Sequence, residues 1–313
     1  MTSTYDILGL GVLAVDDLLY APEYPPADTK VRLRHRERQC GGLTGTALIA
    51  AARLGARCAY AGVLGDDELS RFVLHTLERE GVDTAHVVTR PDAQPVHSSI
   101  VVDETHHTRN IFYHVGGASG AADDAPPAEV VRAAKVLFVD PYGVTGMIRA
   151  ARIAREANRP VVADFEHRPA PDAGSDSPRY DELVGLVDHL VLPAAYACEL
   201  AGVRDAASAV KALLTDDVDT VCATCGVEGA VYATRESPGE VHHQPAFRVK
   251  TVDTTGCGDV FHGAYAFGLA RGMNVVERVR LAAAAAALKA TQPGGQKGIP
   301  TLPQVEAFLA ERS

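Results

Sequence analysis

Residues 251–261 read TVDTTGCGDVF, with two threonines, two glycines and a cysteine enclosed between Asp253 and Asp259. An apolar run follows from Val260 to Leu269, at a spacing that suits a buried helix. A glycine-rich turn that opens a helix leaves several backbone N–H groups without partners, all pointing one way. The helix dipole adds partial positive charge at the same spot. Such a place binds anions, and phosphate is the usual occupant. Asp259 puts a carboxylate inside the first turn, beside the expected anion. A carboxylate there is a poor phosphate ligand and a well-placed base, so the pattern predicts phosphoryl transfer to a hydroxyl. The plainer reading is a glycine turn capping a helix, with Asp259 as a solvated acid. The rest of the chain weighs against it.

The chain has 313 residues, 47% hydrophobic and 22% charged, values of a soluble globular protein. Its formal net charge of −10 argues against nucleic acid or an anionic membrane as the main partner, though a local basic pocket can still take an anionic small molecule. Six cysteines are scattered, at 40, 58, 198, 222, 225 and 257, with no secreted disulfide framework, which predicts reduced thiols and a cytoplasmic protein. Cys222 and Cys225 form a CxxC with no second pair nearby, so they read as two thiols at the end of a buried strand and not as a zinc site. No leader and no membrane span is expected.

Residues 7–15 are apolar with glycines and read as one buried strand ending near Asp16. Residues 30–38 begin with apolar and basic residues alternating, which suggests a half-exposed strand. A glycine turn feeds an alanine-rich helix over 41–54, followed by a strand at 57–64 and a helix at 67–80. Strands are expected at 98–103 and 109–115, joined by the polar turn ETHHT. After Gly120 strands and helices alternate: strands at 136–139, 160–164, 189–192, 220–224 and 230–233, and helices at 146–157, 194–201, 206–214, 258–271, 275–291 and 303–311. A Pro/Asp/Ser-rich loop is expected at 169–178. The expected fold class is α/β, a single domain over 1–313 with a mostly parallel central sheet flanked by helices. Strands at about 30–39 and 97–115 interrupt the alternation and would form a small separate sheet.

DTTGCGD followed by Val260 and Phe261 resembles the C-terminal signature of the ribokinase, or PfkB, carbohydrate kinases, which usually reads D-T-x-G-A-G-D. It is neither a Walker A loop nor a protein-kinase glycine loop. Gly41-Gly42 with the closing Leu54-Gly55, GVLGDDELS from Gly62, ATCGVEGA around Thr224 and QPGGQKGIP from Gln292 extend the likeness over nearly the whole chain. The resemblance implies a ribokinase-like fold with a small β-sheet lid that closes over a sugar. ATP and Mg²⁺ are the implied cofactors, with K⁺ as a further candidate, and a homodimer through the lid is the implied assembly.

Under that resemblance Asp259 is the general base, and Gly256, Cys257 and Gly258 supply backbone donors to the developing charge. Cys257 stands where the family commonly has alanine; it reads as packing, the sharper alternative being a thiol of lowered pKa. Asp16, Gly41, Gly42 and Thr46 would face the sugar, although Thr46 replaces the asparagine of the family's G-G-x-x-x-N. Lys30, His97 and Arg109 are the lid residues expected to contact substrate. Thr224, Gly226, Gly229, Thr254, Pro293 and Gly294 would border the nucleotide, and Asp253, Thr255 and Gly295 would hold the monovalent cation.

The family's N-x-x-E is missing. Its place reads LPAAYACELAG, with Pro193 or Ala194 for the asparagine and Glu199 expected on a helix surface. Mg²⁺ is then expected to be held mostly by ATP and water; Glu166 of DFEHR could compensate near the metal but is not among the expected ligands. The C-terminal part most resembles a bacterial branch that includes sulfofructose kinase, together with ketohexokinase-like members. The basic alternation at 32, 34, 36 and 38 could meet an anionic sugar, but such runs are more often a solvated face. The first expectation is an ATP-dependent kinase of a small sugar, a ketose or sugar acid among the options. The alternatives are a nucleoside kinase of the same fold and a non-catalytic sugar-binding regulator.

Overall fold

The computed structural model describes residues 4–106, 108–168 and 179–312. Ile7 and Leu8 are neighbours on β1 (Tyr5–Gly9), and each is buried in a different apolar layer. Val136 and Leu137, Val162 and Ala163, Val191 and Leu192, and Cys222 and Ala223 divide in the same way. Apolar residues on both faces require a sheet covered on both sides. That sheet has eight strands in the order β14 (His242–Gln244), β13 (Ala230–Thr234), β12 (Thr220–Thr224), β11 (His189–Pro193), β10 (Val161–Asp164), β9 (Ala134–Val139), β1 and β4 (Cys58–Tyr60). From β4 to β12 all neighbours are parallel; β13 and β14 add antiparallel strands at one edge.

One face is covered by α1 (Leu43–Arg53), α2 (Glu68–Arg79), α8 (Cys257–Ala270), α9 (Val275–Lys289) and α10 (Leu302–Ala310). The other carries α3 (Ala128–Arg132), α4 (Val144–Glu156), α5 (Tyr180–Val184), α6 (Ala194–Ala201) and α7 (Ala206–Leu213). The alanine richness of α1 has a packing reason. A Cβ on Gly263 of α8 would stand 2.2 Å from the Ala47 carbonyl oxygen, so these two helices cross with backbones nearly touching.

The second sheet has four strands, in the order β3 (His35–Gly41), β2 (Ala14–Ala21), β7 (Val96–Asp103) and β8 (Thr108–His114). β5 (Val63–Leu64) and β6 (Val88–Thr89) form a separate parallel pair. The expected single strand over 7–15 is corrected: β1 ends at Gly9, and the chain enters the small sheet at Ala14. Both pieces are buried and apolar, so periodicity cannot mark where one sheet is left for the other. Glycine permits the crossing, since a Cβ on Gly11 would lie 1.8 Å from an Asp140 carboxylate oxygen. The expected strand at 30–38 starts only at His35, and Lys30 and Arg32 precede it, exposed. β14 was not expected from sequence; its three residues are too short to show a period. The expected loop at 169–178 lies outside the described residues.

Candidate active site

The parallel strands end along one edge of the large sheet, where open α/β sheets bind ligands. Asp140 follows β9, Asp164 ends β10 and Thr224 ends β12. The first turns of α8 lie over this edge, because His262 bonds the Val191 carbonyl of β11 and approaches Asp164 of β10. Gly256 is the N-cap of α8 at φ +75°, and a Cβ there would meet the Gly295 carbonyl oxygen at 2.8 Å. Only glycine combines that conformation with that contact. A Cβ on Gly258 would meet nothing within 4 Å, so the helix opens into free space here. Cys257 donates to the Ala286 carbonyl at 3.6 Å, and burial pushes its thiol up to about 11. The alternative of a lowered thiol pKa is therefore corrected: desolvation outweighs the charges around it.

Asp259 occupies the first turn of α8. Its pKa is pushed well above the usual carboxylate range, first by burial and then by the negative charges of Glu166, Asp16 and Asp140, with Lys289 opposing. Asp164 is fully buried, neither of its carboxylate oxygens accepts a hydrogen bond, and its pKa is pushed up by burial and by Asp259. Burial also raises Glu166. Asp140, raised to about 6 by burial, accepts from Val12 N (2.6 Å), Thr44 Oγ1 (2.9 Å) and Tyr142 N (3.0 Å). Crowded carboxylates with an orphaned acid among them suit a hard divalent cation. Among the described residues no group of three or more His, Cys, Asp or Glu side chains stands together to hold a metal ion.

Asp16 lies on β2, with Ser98 of β7 beside it, and burial raises its pKa to about 6. Gly41 makes room for it, and Gly42, at φ +87°, could not carry a Cβ without meeting the Val12 carbonyl oxygen at 2.5 Å. Thr46 is buried in α1, its N–H bonded to the Gly42 carbonyl. His97 does not stand free: its Nε2 is 2.8 Å from Asp17 Oδ2, and Arg38 holds the same carboxylate with two bonds. Lys30 is exposed and joins no ion pair among the described residues. Arg109 of β8 reaches the signature itself, with Nη1 3.4 Å from Thr254 Oγ1.

On the opposite side, Thr224 Oγ1 donates to the Leu192 carbonyl at 3.4 Å, and Gly226 opens a short 3₁₀ turn at φ +57°. Gly229, at φ +98°, is pressed against the Gln244 carbonyl. Asp253 ties two loops together, Oδ1 accepting from Thr255 N at 2.8 Å and Oδ2 from Gly294 N at 2.9 Å. Pro293 is exposed beside them. Gly295 N donates to Gln39 Oε1 at 2.8 Å, and Lys297 pairs with Glu37, so β3 is fastened to the same loop. Of the residues expected to hold a monovalent cation, Asp253 has both carboxylate oxygens engaged, whereas Thr255 and Gly295 are bonded here through their N–H groups. In addition, the Lys289 ammonium sits 3.0 Å from the Asp253 carbonyl oxygen.

Four residues in or under this cluster escaped the sequence reading as site members: Asp140, Asp164, His262 and Lys289. An acid one residue beyond or at the end of a buried strand was the available signal for the first two. His262 bonds carbonyls through both nitrogens, Gly258 O at 2.7 Å and Val191 O at 2.8 Å.

A helix N-terminus open to an anion, an acid in its first turn and further carboxylates along the carboxyl edge of a parallel sheet define a phosphotransferase of the ribokinase-like α/β class. The model of the pfkB family carbohydrate kinases matches residues 10–302, and the chain belongs to that family, an ATP-dependent class of sugar kinases. It is 27% identical over 309 residues to a ribokinase of Haemophilus influenzae, covering 96% of this chain and 97% of the relative. It is 30% identical over 292 residues to the aminoimidazole riboside kinase of Salmonella typhimurium, covering 87% and 88%. Among solved structures, a ribokinase candidate from Agrobacterium tumefaciens superposes with a TM-score of 0.87 at 26% identity, covering 98% and 97%.

Proposed function

We propose that this chain transfers the γ-phosphoryl group of ATP to a hydroxyl of a small sugar, with Asp259 as the base. The observation that carries the proposal is the pairing of an open helix N-terminus at Gly258 with a desolvated carboxylate one residue on. Backbone N–H groups of Gly256 and Gly258 face the charge that develops in transfer, while the Cys257 N–H donates to the Thr254 carbonyl and holds the turn that presents them. Asp259 takes the hydroxyl proton as the new P–O bond forms, and its raised pKa makes it the stronger base. Asp16 accepts hydrogen bonds from the sugar, and Thr46 sits too deep to make direct contact. Thr224, Gly226 and Gly229 line the nucleotide side together with Thr254, Pro293 and Gly294.

Asp164 and Glu166 would hold Mg²⁺, directly or through water, and the ion would supply charge neutralisation between the acids and the ATP phosphates. The small sheet acts as the lid. Gln39, Glu37 and Arg109 fasten it to the loops at 253–256 and 294–297. Its outer strand β8 is exposed throughout, with Phe112 at 55% and Tyr113 at 65%, which supports a homodimer formed through the lid. Six unpaired thiols suit a reducing, cytoplasmic compartment.

The test is ADP release with Mg²⁺ against ketoses, aldoses, sugar acids, sulfosugars and nucleosides, run with the wild type and Asp259→Asn. One sugar should give turnover that Asp259→Asn lowers about 10³-fold or more, with ATP binding kept. Turnover with a nucleoside alone would move the assignment to the nucleoside branch, and turnover surviving in Asp259→Asn would remove the base.

A further inference from the structure

Lys289 is the last residue of α9, a position where lysine ordinarily reaches into solvent beside the negative helix end. Here it is fully buried. Its ammonium donates to the Asp253 carbonyl oxygen at 3.0 Å, and no carboxylate forms an ion pair with it among the described residues. A buried cation without a contacting anion is costly, so a chain that keeps one has a use for its charge.

The surroundings point to that use. Asp253 is the residue whose carboxylate joins Thr255 N to Gly294 N, and Gly256 rests on the Gly295 carbonyl. The chain before Asp253 is bonded to the end of α9, with Val252 N and Asp253 N donating to the Ala290 carbonyl. The ammonium therefore sits where the signature loop, the 292–296 loop and α9 meet, behind the N-terminus of α8. Burial lowers its pKa and the Arg109 guanidinium adds to that, while Cys257, Asp253 and Asp259 favour the charged form.

We propose that the Lys289 ammonium is a built-in monovalent cation for the phosphoryl-transfer site, a positioning residue that orders the anion-binding loop and makes the enzyme independent of K⁺. An alkali ion bound at the Asp253 carbonyl would have to share that oxygen with an ammonium. Two like charges that close repel strongly, because a buried site screens them far less than water does. Ammonium and K⁺ are close in size and both seek carbonyl oxygens, so one can replace the other. The inference rests on the kinase reading above, but one of its measurements does not need turnover.

The experiment titrates K⁺, NH₄⁺, methylammonium and Na⁺ against the wild type, Lys289→Ala and Lys289→Met. The wild type should change less than about twofold in kcat between Na⁺ and K⁺ buffers. Lys289→Ala should lose roughly 10- to 100-fold in kcat, the scale of one misplaced transition-state donor or loop. It should regain most of that with K⁺, NH₄⁺ or methylammonium and not with Na⁺. Lys289→Met, neutral and filling the same space, should be impaired and stay so, with sugar KM little changed. Without any substrate, the melting temperature of Lys289→Ala should rise with K⁺ or NH₄⁺ and not with Na⁺. Strong K⁺ activation of the wild type, or full kcat in Lys289→Met, overturns the proposal. If Lys289→Ala does not fold, the wild-type titration and Lys289→Met decide alone.

Discussion

A Cβ placed on Gly41 would stand 2.1 Å from Asp16 Oδ2, so the missing side chain of one residue is the space that holds the carboxylate of the other. The two face each other across strands, Ala14 pairing with Gly41 and Asp16 with Gln39. Gly41→Ala should displace the Asp16 carboxylate and spare the nucleotide side. A lost or bent hydrogen bond to a charged group is worth roughly 1.5–3 kcal/mol, so sugar KM should rise about 10- to 100-fold. ATP affinity, measured by calorimetry without sugar, should stay within about twofold. Equal losses on both sides would mean that Asp16 does not face the sugar.

Acid should act on stability and on catalysis in opposite senses. Burial raises Asp16 and Asp140 to about 6, and it pushes Asp164, Glu166 and Asp259 upward as well. A carboxylate whose pKa is raised by folding binds its proton more tightly in the native state. Its stability contribution is present at low pH and is lost as pH climbs through the folded value. His189, lowered to about 3, and His262, also lowered, act the other way, since the unfolded chain protonates them first. The carboxylates outnumber the imidazoles, so the melting temperature of the ligand-free protein should rise between about pH 8 and about pH 6. Over the same interval kcat/KM should fall, because the base and the sugar acceptor are lost on protonation. Differential scanning calorimetry and steady-state rates on one buffer series test both signs. Melting and activity that fall together would show that the cluster is not strained in the free protein.

His262 Nδ1 lies 3.3 Å from Asp164 Oδ2, with both residues buried. Desolvation pulls the imidazole pKa down, and its two carbonyl bonds oppose this. Burial thus disfavours the charged form of both partners, the His262 pKa moving down and the Asp164 pKa moving up. His262→Leu should cost roughly 1–3 kcal/mol in urea unfolding, since it leaves the buried Gly258 and Val191 carbonyls without their side-chain partner. Adding Asp164→Asn should cost far less than it does alone. A double mutant whose losses simply add would separate the two residues energetically.

The chemistry that lies within one short stretch was readable in advance. Gly256, Gly258 and Asp259 form their arrangement almost alone, because a glycine N-cap and the first helical turn are local events. The acid cluster was not readable. Asp140 holds Val12 N from 128 positions away and Thr44 from 96, and no spacing rule spans such separations. Lys289 was hidden for another reason: at the end of a helix it has the composition of a surface position, and it is buried by tertiary contact, its ammonium meeting the Asp253 carbonyl 36 positions away. The passage from β1 to β2 was lost because both segments are equally apolar.

Arg109 is expected among the sugar contacts, and its guanidinium also approaches Thr254 of the anion-binding turn. The distance of 3.4 Å to Thr254 Oγ1 is long for a hydrogen bond, as suits a contact that tightens on ligand binding. A guanidinium poised there can complete the charge around a transferring phosphoryl group, and it sits on β8, which joins the large domain through no strand pairing. Closure of the small sheet would then deliver a cation to the phosphates together with walls for the sugar. Arg109→Ala should lower kcat about 10- to 100-fold and weaken ATP more than sugar, as expected for loss of one charged donor in the transition state. Arg109→Lys should recover part of kcat, since it restores the charge but not the forked geometry. If Arg109→Ala raises sugar KM alone and leaves kcat intact, Arg109 belongs to substrate recognition after all and the closing sheet brings no charge to the phosphoryl group.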